Sequence, residues 1–571
     1  MIFNHSYNRK KALCLDIVYI SCLVLLIIRV IYLMTVRADY YAQGAKELQE
    51  RERTVLANRG SMYDRNGEEI ASSESVCTVF VVHNQIEDIE YVITYLSDKL
   101  SMDPQIVREK VERVNALEKI KSNVSMEIAA QMLLDNVPGV KIDQTSKRYY
   151  PYGNMASKVL GFTGGDNQGI LGLEAVYDSY LKGTDGIIYT TTDGKGREVE
   201  GVLEQRQEPI SGNDLHLTLD AVIQSWCQTS AQKAYENCQA DGVSILAMNP
   251  QNGEVLAMVD YPEYDLNDPF TLIEPYVSLE NVSQTDAQNM MWRNACINDT
   301  YEPGSVFKII TTAIALEEDL VTREDAFYCP GYIIVEDRRI RCHKTVGHGA
   351  ETFEDGIKNS CNPVFIDLGL RIGSKNFYMY FEKFGLLDKT GIDLPGESST
   401  IMHNPDKIGQ VELATVAFGQ SFQVSPIRLL TTISELINGG HVITPHLVST
   451  ITDTNGNVVW EYKESEAETI CSEETTEELQ YLLEQVVSDG TGSNAYIEGY
   501  EIGGKTATSQ TLPRSEHKYI ASFMGFAPAD DPKVIVLVII RNPQGAYYGG
   551  TIAAPVAKEI FSNLIPYLLE K

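Results

Sequence analysis

A mixed α+β chain with one N-terminal membrane helix is what this sequence predicts, and three observations carry the prediction. The stretch from Leu13 to Val36 is the one segment apolar and long enough to cross a bilayer. Apolar, β-branched runs joined by turn residues stand near residue 245 and again near residue 530. Helical patterns (Ile309 to Glu318, Arg428 to Ile437, Thr476 to Val487, Ala554 to Leu569) fall between or after those runs. Strands at both ends with helices between them argue for one α+β domain from about residue 215 to the C-terminus.

The apolar core of the membrane stretch, Ile17 to Ile28, is interrupted only by Ser21, and Asp16 and Arg29 lie near its ends, where side chains reach the interface. Arg9, Lys10 and Lys11 precede it without an acid, so the positive-inside rule puts residues 1–12 in the cytoplasm and the chain after residue 36 outside the cell membrane. A cleaved signal peptide would carry a shorter apolar run and a small-x-small cleavage site, so residues 13–36 are expected to stay as an anchor. With 79 acidic against 47 basic residues, a net charge of −32 excludes a nucleic-acid partner, which needs clustered cations. It fits an acidic ectodomain.

Residues 37–214 form the region between anchor and C-terminal domain. Asp39 to Glu52 is expected to be a helix leading into a strand at Arg53 to Ala57, and the Asn66-Gly67 pair marks a hairpin turn. Ile86 to Val137 reads as a polar, helical spacer, followed by the glycine-rich Gly161 to Gly186. In the C-terminal domain, Ser244 to Met248 and Glu254 to Val259 form a hairpin across Asn249 to Gly253. Phe523 to Ala527 and Val534 to Ile540 form another across Pro528 to Pro532.

The chemistry starts at Glu302-Pro303-Gly304-Ser305-Val306-Phe307-Lys308, a turn that breaks into an apolar helix. Residues three apart share a helix face, so Lys308 can reach Ser305 and take its proton. A serine is a weak nucleophile until a base does this, and an ordinary lysine is protonated at neutral pH. A helix N-terminus, burial or a second cation would each shift Lys308 toward the neutral amine. Ser-x-x-Lys also occurs at Ser179, Ser230 and Ser515, but only Ser305 has the Pro-Gly entry and an apolar helix behind it.

A Ser/Lys pair also needs a second proton carrier, a clamp for the substrate and an oxyanion site. Ser360-Cys361-Asn362 offers a hydroxyl and an amide two residues apart. Gly503-Gly504-Lys505-Thr506-Ala507-Thr508 offers a strand with a cation and two hydroxyls, and the charge of Lys505 would depress the pKa of Lys308.

In this order and at these separations, the three elements resemble the penicilloyl serine transferase set Ser-x-x-Lys, Ser-x-Asn, Lys-Thr-Gly. The surrounding text sharpens the likeness to the class B penicillin-binding proteins of the septal division and sporulation type: the anchor, Arg59 to Gly67, Arg148 to Pro151, Gly169 to Glu174, Thr218-Leu219-Asp220, Gly391 to Glu397, Phe418-Gly419-Gln420 and Gly490-Thr491-Gly492. The resemblance implies a penicillin-binding transpeptidase domain at 215–571, an antiparallel sheet flanked by helices. It would stand on an elongated, dimerisation-type pedestal at 37–214. It further implies a peptidoglycan D,D-transpeptidase, inhibited by β-lactams. Ser305 would attack the penultimate D-Ala carbonyl of a stem peptide and Lys308 would take its proton. Ser360 with Lys505 would relay a proton to the leaving D-alanine, and Asn362 would hold the peptide amide. Thr506 and Thr508 would bind the terminal carboxylate, and the N–H groups of Ser305 and Thr508 would form the oxyanion hole. Ala507 stands where the family has glycine, its methyl expected to face the catalytic helix and narrow the cleft. A literal Lys389-Thr390-Gly391 exists but runs into a turn without the following threonine, so Lys505 is preferred.

No cofactor and no metal is expected. Cys329, Cys342 and Cys361, with His343 and His348, hint at a zinc set, but the tight Cys-x2-Cys pair is missing and adjacent Cys342 and His343 would strain around one ion. A disulfide or free thiols are expected instead, and Cys361, between Ser360 and Asn362, is read as an inert thiol rather than a redox lock. Implied partners are peptidoglycan strands, the membrane, a polytopic glycosyltransferase and division or sporulation proteins. The rival reading is a penicillin-binding sensor or weakly catalytic scaffold, for which Ala507 is the best support.

Overall fold

The computed structural model describes residues 5–114, 117–191, 205–404, 407–464 and 468–569; residues 1–4 of the expected tail and 192–204 of the expected pedestal lie outside the described residues. Helix α1 (His5–Thr35) contains the one candidate membrane span among the described residues, Arg9–Thr35. At about 1.5 Å per residue such a helix exceeds the roughly 30 Å hydrocarbon core of a bilayer.

The chain divides into two compact units. The first comprises residues 1–57, 75–147 and 184–210. In it, Glu50–Val55 pairs antiparallel with Gly186–Thr191, which pairs with Gln205–Gln207. The expected polar spacer is more than helical. It contains the helices Ile89–Leu100, Pro104–Val111 and Met126–Asp135 and the strand Glu118–Val124. Val79, Val92, Leu96, Val107, Ile120 and Met132 close a core of their own there. The polar residues that gave the spacer its texture include the caps: Asp88 accepts from Tyr91 N, Asp103 from Gln105 N and Ser125 from Ile128 N.

The second unit comprises residues 58–74, 148–183 and 211–571. Its centre is a five-stranded antiparallel sheet of β1 (Gly242–Met248), β2 (Val255–Tyr261), β3 (Gly503–Gln510), β4 (Tyr519–Ala527) and β5 (Val534–Arg541), in the order β2-β1-β5-β4-β3. The strand period of two assigns side chains to two cores. Val243, Ile245, Val534, Val536 and Val538 pack with helices α2 (Ala221–Cys238) and the C-terminal Gly549–Leu569 on one face. Leu246, Met248, Ile535, Leu537 and Met524 pack with the helices around residues 305–437 on the other. Covered on both faces, β1 and β5 carry unbroken apolar runs rather than alternation. The strand β4 starts at Tyr519, four residues before the expected Phe523, and this extension becomes a wall of the site.

Several segments with no obvious chemistry are structural joints. Glu174, fully buried, accepts from Arg148 Nε at 2.6 Å and also pairs with Arg59, whose Nη1 reaches Asp178 at 2.6 Å. Asp64 caps the Asn66-Gly67 turn and accepts from Ala221 N at 3.0 Å, while Asp220 caps α2 through Val222 and Ile223. Asp393 accepts from Leu447 N at 2.8 Å and Val448 N at 3.0 Å.

Candidate active site

Ser305 lies in a 3₁₀ turn, Gly304–Phe307, that hands over to helix α3 (Lys308–Glu317). The expected single helix therefore begins with a tighter turn, in which Lys308 N bonds back to Ser305 O. Phe307 fixes the rotation of the turn by packing against Phe381 and Phe422, with ring centroids 5.4 and 4.7 Å away. This leaves Ser305 at the surface of a cleft of about 460 Å³. Gly304, at φ +58°, donates its N–H to Gly419 O at 2.9 Å, and a Cβ on Gly419 would stand 2.0 Å from Gly304 O. Phe418-Gly419-Gln420 thus supplies a glycine where only glycine fits beneath the nucleophile turn. Glu302 holds the turn from its other side, accepting from Ser421 N at 2.9 Å and pairing with Arg514 at 3.0 Å.

Ser360 sits at φ +51°, in left-handed backbone, immediately before helix α4 (Asn362–Lys383). Lys308 Nζ donates to Ser360 O at 2.7 Å, to Asn362 Oδ1 at 2.8 Å and to Ser360 Oγ at 3.2 Å. Strand β3 is the edge of the sheet and lies against the nucleophile turn: a Cβ built on Gly304 would meet Ala507 Cβ at 3.4 Å and Ser509 Cβ at 3.5 Å. The methyl of Ala507 therefore packs onto the glycine beside Ser305. Thr506 Oγ1 is 3.4 Å from Thr491 Oγ1, and Thr508 Oγ1 accepts from Gly549 N at 3.0 Å. Ser305, Ser360, Asn362, Thr506 and Thr508 line the one cleft, while Lys308 and Lys505, each 1 % exposed, lie beneath it.

Burial lowers the Lys308 pKa to about 8, and among the described residues neither lysine forms a salt bridge with a carboxylate. Lys505 is held well below the ordinary lysine range by burial and then by the charge of Lys308; among the described residues its Nζ donates only to Thr506 O, at 3.4 Å. The expected influence of Lys505 on Lys308 runs the other way: burial lowers Lys308, and the cationic neighbour acts on Lys505. No side-chain hydrogen bond joins Ser305 to Lys308, or Ser360 to Lys505, among the described residues.

The alternative motifs lie elsewhere. Thr390 N and Gly391 N donate to Glu397, making Lys389-Thr390-Gly391 a capped turn. Ser230 is buried inside α2 with its Lys233 paired to Glu559 at the surface, and Lys518 pairs with Glu516. Three tyrosines that the sequence reading passed over form the far wall. Tyr519 stacks on Tyr547 with centroids 4.2 Å apart, and Tyr548 follows at 4.6 Å. The adjacent Tyr547-Tyr548 ahead of a Gly-Gly pair was the available signal.

All ten cysteines are free thiols. The expectation of no metal set rested on the missing Cys-x2-Cys pair and on the adjacency of Cys342 and His343. The fold avoids both difficulties by bringing Cys329, Cys342, Cys361 and His348, rather than His343, together. Contact with Cys361 draws the Cys342 thiol below its ordinary range and, with burial, pushes Cys361 up.

The chain is similar to known proteins over most of its length. Residues 243–562 match the penicillin binding protein transpeptidase domain, and residues 54–217 match the penicillin-binding protein dimerisation domain. The chain is 37 % identical to Stage V sporulation protein D of Bacillus subtilis, over 98 % of this chain and 86 % of that protein. It is 27 % identical to the probable peptidoglycan D,D-transpeptidase PenA of Neisseria meningitidis, over 95 % of this chain and 90 % of that one. The crystal structure of Penicillin Binding Protein 2X from Streptococcus thermophilus superposes with a TM-score of 0.75 at 21 % identity, covering 90 % of this chain and 80 % of that one, which shows the shared fold.

Proposed function

The chain belongs to the class B penicillin-binding proteins, and from that membership we propose how its residues perform peptidoglycan D,D-transpeptidation. The enzyme is a serine acyltransferase that binds stem peptides and β-lactams. The observation that carries the residue assignment is the convergence of Ser305, Ser360 and Asn362 on one cleft over two buried lysines that form no salt bridge among the described residues.

Of the three acceptors around Lys308 Nζ, Ser360 O and Asn362 Oδ1 can only accept, whereas Ser360 Oγ can also donate. When Lys308 loses its proton, two N–H bonds keep the amine in place and the lone pair is free for a hydroxyl. Ser305 approaches that lone pair as it attacks the penultimate D-Ala carbonyl, since catalytic hydrogen bonds tighten in the substrate complex. Ser360, with Lys505 buried beneath the cleft, carries the proton on to the departing D-alanine. The edge of β3 offers backbone groups to an extended peptide, with Thr506 and Thr508 at the terminal carboxylate and Thr508 N–H joining Ser305 N–H around the oxyanion. Asn362 holds the donor amide. An acceptor amine then takes the acyl group, forming the cross-link. A β-lactam enters the same path and stays on Ser305.

We further assign residues 1–12 to the cytoplasm, 13–36 to the membrane and the rest outside, from the Arg9-Lys10-Lys11 cluster. Residues 37–214 are assigned as a pedestal region and 215–571 as the transpeptidase domain, and a polytopic glycosyltransferase and division or sporulation proteins are the partners proposed. Labelling detergent-purified full-length protein with a fluorescent penicillin tests the site. Label is expected on wild type and absent from Ser305→Ala. Label that survives the substitution moves the nucleophile, and an unlabelled wild type favours a scaffold.

A further inference from the structure

Behind the Ser360–Asn362 turn lies a set of side chains that transpeptidation does not use. Cys329 ends the strand Ala326–Cys329, Cys342 follows the hairpin of Tyr332–Val335 and Arg338–Arg341, and His348 precedes the strand Gly349–Thr352. Cys361 caps α4. One ligand atom from each lies within 4.8 Å of all the others. Cys329, Cys342 and Cys361 are at most 2 % exposed, and the His348 side chain is 5 % exposed. His348 Nδ1 stands 3.8 Å from Cys342 Sγ.

Those separations are compatible with four ligands around one ion. A tetrahedral zinc with bonds of about 2.3 Å to sulfur and about 2.0–2.1 Å to nitrogen has S···S edges of about 3.8 Å and S···N edges of about 3.6 Å. A second observation points to a cation. Glu351 Oε1 is buried without a hydrogen-bond donor among the described residues, 4.0 Å from His348 Nδ1. A buried carboxylate oxygen left without a donor is costly, and the pocket without a metal leaves that cost unmet. A disulfide between any two of the cysteines would use only two of the four ligand atoms gathered here.

We propose that Cys329, Cys342, Cys361 and His348 bind one Zn²⁺ in a closed, four-ligand site. Binding displaces the thiol protons to solvent and leaves three thiolates and a neutral imidazole on the metal. With every position filled by protein, the ion is structural and offers no open position to substrate or water. Its place gives it a task. Cys361 stands between Ser360 and Asn362, the two residues that hold Lys308, and Ser360 keeps a left-handed backbone that a non-glycine residue leaves easily. Three ligands from separate loops pin that turn from behind.

The test uses the full-length protein in detergent, carrying an affinity tag without histidine and purified without chelator. Elemental mass spectrometry is expected to find about one zinc per chain in wild type, lost in Cys329→Ser and His348→Ala and kept in His343→Ala. Cobalt exchanged into wild type is expected to give visible d–d bands of tetrahedral geometry and a thiolate-to-cobalt charge-transfer band. These wild-type readouts hold even if a ligand variant fails to fold. Metal-free wild type that takes up neither zinc nor cobalt would overturn the site. So would intact-mass and peptide mapping that find a disulfide among Cys329, Cys342 and Cys361 in the native protein, or zinc that stays in full amount in folded His348→Ala.

Discussion

Lys308 Nζ donates to Asn362 Oδ1 at 2.8 Å, and this contact ties the nucleophile turn to the start of α4 across the floor of the cleft. It links two stretches of sequence 54 residues apart. Because the amide oxygen is neutral, it orients the amine without holding its proton.

Asn362→Asp puts an anion at that position. The carboxylate stabilises the ammonium form, so the Lys308 pKa rises by about one to two units. Penicillin acylation near neutral pH is expected to fall roughly ten- to a hundredfold and to recover partly as pH is raised. A loss of acylation that is the same at every pH would contradict the electrostatic account.

Wild-type acylation should itself depend on pH. The folded pKa of Lys308 is lowered by burial to about 8. The reactive amine is scarce below that value, so the acylation rate should climb as pH rises through it and level off above. Cys361, Cys342 and Glu351 are the other ionisable groups whose charge bears on this amine. Stopped-flow acylation from slightly acidic to alkaline pH measures the midpoint, and a flat profile would remove Lys308 as the base.

Ala507→Val tests the packing of β3 on the nucleophile turn. The alanine methyl already makes van der Waals contact with the Cβ position of Gly304, at 3.4 Å. Two further methyl groups there overpack the contact and are expected to cost about 1–3 kcal/mol of stability, with slower acylation. Ala507→Gly should lower stability by only about 0.5–1 kcal/mol, through chain entropy. Thermal unfolding and labelling rate together distinguish displacement of Ser305 from general loosening.

Glu174→Gln tests the joint made by Arg59 and Arg148. Both guanidiniums are buried against this carboxylate. Removing its charge leaves two buried cations undercompensated, a loss of about 3–5 kcal/mol by analogy with other buried pairs. Lower thermal stability with normal labelling of the folded fraction is expected. Unchanged stability would show that solvent reaches the guanidiniums.

Much of the site was legible from local text. Ser305 stood out because Pro303-Gly304 announces a turn and Ile309 onward an apolar helix, both short-range properties. The hairpins of β1–β2 and β4–β5 were legible because turn residues separate runs of β-branched residues. The region from 86 to 137 misled because a strand and three capped helices, individually half polar, close a core only when packed together. The tyrosine wall was hidden because Tyr519 and Tyr547 are 28 residues apart and stack only through the return of the chain after β5.

By itself the sequence determined which residues carry reactive groups, where the membrane helix lies and which turns present the serines, because each depends on neighbours within a few positions. Tertiary structure alone decided which acceptors receive the Lys308 amine, how deeply both lysines are buried and which histidine joins the three cysteines. Those outcomes depend on distances between segments far apart along the chain, and pKa, hydrogen bonding and metal geometry respond to such distances and to exclusion of water, neither of which residue order records.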